Sequence, residues 1–214
     1  MSKEKALKAL QEEIAHDARL PLRESNLVFG EGSPDAEVVF IGEAPGFHED
    51  RLGRPFVGLA GKLLDKLIAA NGWKREDVYI TNIVKRRPPE NRDPLPEEIE
   101  AYKPYLEKQL AILEPTAVIP LGRFAMSYFL PNAKISRDQG KTFMVDGMKI
   151  IPMFHPAAAL RAGEVMKQLE ESFKKIPALL KGGANGDPAI SLPPAYPIQE
   201  AKKEELHTNQ TSLF

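Results

Sequence analysis

Four short runs of nearly uninterrupted apolar residues constrain this chain more than any other feature. They are Glu37–Gly42 (EVVFIG), Val78–Val84 (VYITNIV), Ala117–Gly122 (AVIPLG) and Lys149–Phe154 (KIIPMF). A strand with one wet face alternates apolar and polar residues, whereas a continuous run suits a strand covered on both faces, as in a parallel sheet. Helical stripes lie between the runs. Leu59, Leu63, Leu64, Leu67 and Ile68 share one face, and Pro96 opens a second helix striped by Ile99, Tyr102, Leu106, Leu110 and Leu113. Phe124–Leu130 and Glu164–Leu180 are weaker helical candidates. This alternation predicts a three-layer α/β/α sandwich with its ligand site beyond the C-terminal ends of the strands.

The chain has 214 residues, which suggests one domain over 1–180 with an appended segment. From residue 181 onward, glycine, proline and charged residues replace the apolar pattern, and 181–214 reads as a flexible tail. The 29 Lys plus Arg against 30 Asp plus Glu exclude a globally basic protein, so any nucleic-acid contact must rest on a local patch. With no cysteine, a disulfide scaffold, a thiolate nucleophile and a Cys-ligated metal or cluster are all excluded. No run approaches the about 18 apolar residues of a membrane span, and the N-terminus lacks a signal peptide's apolar core. A cytoplasmic, nucleoid-associated monomer is expected.

Every chemically suggestive motif follows one of the strands. The first run ends in Gly42-Glu43-Ala44-Pro45-Gly46, with His48, Glu49 and Asp50 next. Its glycines let backbone approach a ligand closely. Gly53-Arg54-Pro55-Phe56-Val57-Gly58 then places an aromatic ring in a flexible loop, where it can stack on a planar ligand. Gly58-Leu59-Ala60-Gly61-Lys62 is not a phosphate loop: its spacing is wrong and Leu63 stands where a hydroxyl is needed. The second run ends at Asn82, whose carboxamide can offer a donor and an acceptor to a base edge. Lys85, Arg86, Arg87 and Arg92 follow, with Glu90 the one acid among them, forming a local basic patch suited to phosphates. The fourth run leads into His155-Pro156-Ala157, then Leu160-Arg161.

In order, these segments resemble a uracil-DNA glycosylase of the superfamily's family 4. The matching pieces include Phe29-Gly30-Glu31-Gly32, Gly42–Gly46, Gly53–Gly58, Asn82–Lys85, Arg87-Pro88-Pro89, Asn91-Arg92 and His155–Ala157. The resemblance implies a four-stranded parallel sheet and hydrolysis of the N-glycosidic bond of deoxyuridine in flipped-out nucleotides, the first step of base excision repair. It further implies that Phe56 stacks on uracil, that Asn82 reads its polar edge, and that Gly42, Ala44 and Gly46 line the base site. His155 would stabilise the uracil oxygen that gains charge, while Glu43, with Glu49, would orient water. Ala44 stands where another branch has a catalytic Asp. Leu160 and Arg161 would wedge into the duplex, and Lys85, Arg86, Arg87 and Arg92 would hold phosphates.

The family's [4Fe–4S] cluster is expected to be absent, and no metal is expected. Its four cysteines would fall at Ala15, Ala18, Arg86 and Tyr102. Tyr102 is expected to fill part of the vacated volume, with Arg86 beside it. The chain's last residues, Gln210-Thr211-Ser212-Leu213-Phe214, resemble a sliding-clamp-binding peptide, with Gln210, Leu213 and Phe214 as anchors. The rival reading is a non-catalytic or covalently trapping uracil-DNA or abasic-DNA binding protein. Trapping is disfavoured because no His lies between residues 49 and 154. A nucleotide hydrolase lacks a phosphate loop and a metal site.

Overall fold

A computed structural model describes residues 1–182 and the backbone of a short strand at 190–191. Its strands are β1 (Glu31–Gly32), β2 (Val38–Gly42), β3 (Tyr79–Asn82), β4 (Ala117–Pro120), β5 (Phe143–Val145), β6 (Met148–Ile150) and β7 (Ile190–Ser191). Its helices are α1 (Lys3–His16), α2 (Phe47–Leu52), α3 (Leu59–Ala70), α4 (Pro96–Leu113), α5 (Gly122–Phe129), α6 (Ile135–Asp138), α7 (Pro156–Ala159) and α8 (Gly163–Leu180). Of the expected tail 181–214, all but 181–182 and 190–191 lies outside the described residues.

The strands form one sheet in the order β1-β3-β2-β4-β6-β5-β7. β3, β2, β4 and β6, one from each apolar run, pair in parallel. The expectation of a purely four-stranded parallel sheet is corrected by the strands added at its edges. β1 pairs antiparallel with β3, and β5 pairs antiparallel with β6. The β5–β6 hairpin closes through Asp146 and Gly147, whose φ angles of 49° and 80° suit a two-residue turn that follows the twist of its strands.

Side chains of the central strands alternate between two cores, which explains their unbroken apolarity. Val39, Ile41, Tyr79, Val118 and Ile150 pack with Leu7, Leu10 and Ile14 of α1 and with Tyr102, Leu106 and Leu113 of α4. Val38, Phe40, Ile80, Ile119 and Ile151 pack with Leu64, Leu67 and Ile68 of α3 and with Leu169, Phe173 and Ile176 of α8. The Phe40 and Phe173 rings stack with centroids 5.7 Å apart. Leu59, expected on the buried face of α3, is 75% exposed at the helix's first position.

One buried polar network crosses the first core. The Lys85 ammonium position is fully enclosed, and Nζ donates to Thr81 Oγ1 and Gln109 Oε1, both at 2.6 Å. Thr81 in turn donates to the Phe29 carbonyl, and Gln109 Nε2 donates to Phe29 O and Tyr79 Oη. Burial holds Lys85 well below the ordinary lysine value, because a charged amine would lose its hydration. Lys85 is therefore a structural pin and not the expected phosphate contact.

This burial sets a sign for stability. An amine that is neutral when folded and charged when unfolded destabilises the fold below the unfolded value, and the cost fades as pH rises toward it. Wild type should thus gain stability relative to Lys85→Met between pH 7 and pH 10, measured by urea unfolding at each pH. An equal response of wild type and Lys85→Met to pH over this range would return Lys85 to the surface as an ordinary charged lysine.

Candidate functional site

The motifs converge where β2 and β3 end. Pairing continues one step past Gly42 and Asn82, with the Ile83 N–H on the Gly42 carbonyl and the Val84 N–H on that of Glu43. A methyl group on Gly42 would lie 2.4 Å from Asn82 Oδ1 and 2.6 Å from Phe56 Cζ. Only glycine allows that approach, so Gly42, Asn82 and the Phe56 ring enclose one corner. The Phe56 ring lies 5.6 Å from the His155 ring with a tilt of 31° between planes.

The loop carrying Phe56 is held from several sides. Phe56 itself adopts a φ of 50°, an unusual backbone for a bulky residue. A methyl on Gly61 of α3 would sit 1.9 Å from the Phe56 carbonyl oxygen, so this glycine seats the strained backbone directly on the helix. Glu49 Oε1 accepts from the Val57 and Gly58 N–H groups, both at 2.9 Å. From the other side, Arg75 donates to the Pro55 carbonyl while pairing with Glu31 and Asp65, each contact at 2.5 Å. Arg54 adds a second cation to Glu31 at 2.7 Å.

Electrostatics sort the ionisable groups into different states. Burial pushes the Glu43 carboxyl up to about 7, Asp93 adds to the rise, and Arg123 opposes it. Asp93 and Arg123 are themselves paired at 2.6 Å. Burial also lowers His155 to about 4, against the smaller opposing pull of Glu49. His155 caps the N-terminus of α7, where its Nδ1 accepts the Ala157 N–H at 3.1 Å. The neutral ring's proton is thereby assigned to Nε2, leaving a donor. Among the described residues, the Asn82 carboxamide makes no hydrogen bond within the chain although the residue is 2% exposed. Ala44 and Gly46 are half-buried in the turn between β2 and α2.

The expected phosphate-binding patch separates into different roles. Arg86, like Lys85, is turned inward: it is 8% exposed, and Nη1 donates to the Ser25 carbonyl. It is therefore not a surface DNA contact. Arg92 is bound by Glu98 through both guanidinium nitrogens, at 2.8 and 2.6 Å, so much of its charge is compensated. Arg87 reaches the surface, with Nε on Asn91 Oδ1 at 2.7 Å. Leu160, 48% exposed, and Arg161 stand at the end of α7. Gln210, Leu213 and Phe214 lie outside the described residues.

The positions at which the family resemblance would put cluster cysteines do not fit an iron–sulfur group. Ala15 and Ala18 offer no ligand atom. Arg86 brings a cationic guanidinium, and the buried Tyr102 hydroxyl donates to the Pro21 carbonyl at 2.8 Å. Burial raises Tyr102 above the ordinary tyrosine value, with Arg86 opposing, so no thiolate-like anion is available. Among the described residues, no cluster of metal-ligating side chains is found. Nothing in the sequence marks Arg75, Asp93 or Arg123: they lie outside the glycine-rich motifs, and only the fold brings them to the site.

Residues 29–180 match the family described as the uracil DNA glycosylase superfamily. The chain is 50% identical to the type-4 uracil-DNA glycosylase of Saccharolobus solfataricus over 71% of its length and 74% of the relative's. It is 47% identical to that of Archaeoglobus fulgidus, over 71% of this chain and 81% of the relative. For the Thermotoga maritima enzyme the identity is 43%, over 76% and 87%. The strand-end constellation and these matches agree: the chain belongs to the uracil-DNA glycosylase superfamily, on its type-4 branch.

Proposed function

We propose that this protein hydrolyses the N-glycosidic bond of deoxyuridine in DNA, without an iron–sulfur cluster. The observation that carries the reading is the shared corner of Gly42, Phe56 and Asn82 beside a neutral His155. A flipped uracil stacks on Phe56, and the unpartnered Asn82 carboxamide pairs with its polar edge. As the bond to the sugar lengthens, negative charge grows on the base, and the Nε2–H of His155 donates to the uracil oxygen that receives it. A neutral donor serves well here, since it needs no proton from solvent.

The sugar meanwhile becomes electron-poor. An ionised Glu43 stabilises that charge and orients the water that attacks the sugar carbon, taking up its proton. Glu49, with one carboxylate oxygen already accepting two backbone N–H groups, acts chiefly by fixing the Phe56 loop. Arg87, Leu160 and Arg161 form the DNA rim, and the protein acts as a cytoplasmic, nucleoid-associated monomer. Gln210, Leu213 and Phe214 tether it to a sliding clamp.

Incubation with a uracil-containing oligonucleotide followed by alkali should give strand scission at the uracil. His155→Ala should lower kcat by about 10²–10³-fold, the usual loss for one oxyanion donor. Tight binding with no release by the wild type would make the chain a binding protein instead. Leu213→Ala with Phe214→Ala should weaken clamp binding and leave activity on short DNA intact, as read by a clamp pull-down and the same assay. Unchanged clamp affinity would refute the tether.

A further inference from the structure

Large exposed apolar side chains are concentrated on one edge of the molecule. Apart from Met1, those among the described residues are Phe47, Leu52, Leu59, Leu95 and Leu160, all in segments that follow the C-terminal ends of β2, β3 or β6. Phe47 is the aromatic one. It is 53% exposed at the first position of α2, directly after Gly46, and two residues before Glu49. Arg87 comes from the neighbouring segment after β3 and places its guanidinium 5.3 Å from the Phe47 ring centroid. That guanidinium is steadied by Asn91, and the Arg87 carbonyl accepts from Ser25 Oγ at 2.8 Å. The His48 ring meets Phe47 edge-on at 5.5 Å. The pair thus bridges the segments that follow β2 and β3.

Resting on the glycosylase reading, we propose that Phe47, backed by Arg87, is a stacking platform for a base next to the flipped uridine. An exposed ring beside a cation matches single-stranded nucleic acid, whose bases present aromatic faces and whose backbone presents phosphates. Flipping a nucleotide leaves its neighbour with one unstacked face, which the Phe47 ring covers. The platform is sequence-tolerant, since every base has such a face. Phe47 therefore acts on the DNA flanking the target, apart from the Phe56 ring that holds the target itself.

The test uses full-length protein and oligonucleotides with 2-aminopurine immediately 5′ or 3′ of the uridine. Wild type should quench the fluorophore at one of these positions, and Phe47→Ala should abolish that quenching while Phe47→Trp restores it. KM should rise about tenfold in Phe47→Ala, with a smaller change in kcat and an unchanged inhibition constant for free uracil. Arg87→Gln should reduce the slope of log affinity against log salt by about one. Because Phe47 is more than half exposed, a thermal melt matching wild type is expected to accompany these changes. Equal quenching by wild type and Phe47→Ala at both positions would overturn the platform, even if KM moved. Failure of the wild type to release uracil would instead overturn the glycosylase reading, since the quenching arm needs no catalysis.

Discussion

The site depends on the close seating of Phe56. Its backbone is held at a left-handed φ by a helix that can approach it only because position 61 has no side chain. Its ring reaches Asn82 only because position 42 has none. Glu49 and Arg75 then hold the residues on either side of it, Glu49 through Val57 and Gly58 and Arg75 through Pro55. Strain of this kind costs of order 1–3 kcal/mol and persists only where the surroundings over-determine it. Here the surroundings are two glycines and two charged side chains, and what they fix is the place of the Phe56 ring beside Asn82 and His155.

A second theme is the use of burial to choose charge states. Lys85 and His155 are both held neutral by desolvation, but to different ends. Lys85 spends its hydrogen bonds inside the fold, on Thr81 and Gln109. His155 uses Nδ1 to accept the Ala157 N–H, which leaves the ring proton on Nε2. Glu43 is pushed the other way, into the range where a carboxylate can exchange a proton near neutral pH. Arg86 and Tyr102 stand at two of the positions where the family resemblance would put cluster cysteines, and the Arg86 Nε is left buried without a partner. A buried cation and a buried phenol each find a backbone carbonyl, at Ser25 and Pro21. The loop 17–25 is thereby tied to the segment after β3 and to α4 by ordinary side chains.

Much of this was legible in the sequence because burial leaves a pattern. The four apolar runs became the parallel centre of the sheet, and α3 covers Leu59–Ala70 as its stripe suggested. The hairpin at Asp146-Gly147 carries a turn signal in the sequence, but its strands are only three residues each and leave no longer apolar run. The basic patch misled for a physical reason. Sequence shows that Lys85, Arg86, Arg87 and Arg92 are charged, but not that two point into the core and a third is bound to Glu98. The Arg75 network was unreadable because Glu31, Pro55, Asp65 and Arg75 are brought together only by the fold.

The proposed chemistry needs a neutral histidine donor and a carboxylate that ionises near neutrality, His155 and Glu43. Single-turnover uracil release measured from pH 5 to pH 9 tests it most directly. A Glu43 that must be ionised makes the wild-type rate climb about tenfold per pH unit below an inflection near 7 and level off above it. Glu43→Gln should be slow and should lose that inflection, because no carboxylate remains to titrate. His155, which charges only near 4, should leave no step in this range. A wild-type rate independent of pH, or an inflection that survives in Glu43→Gln, would contradict the assignment.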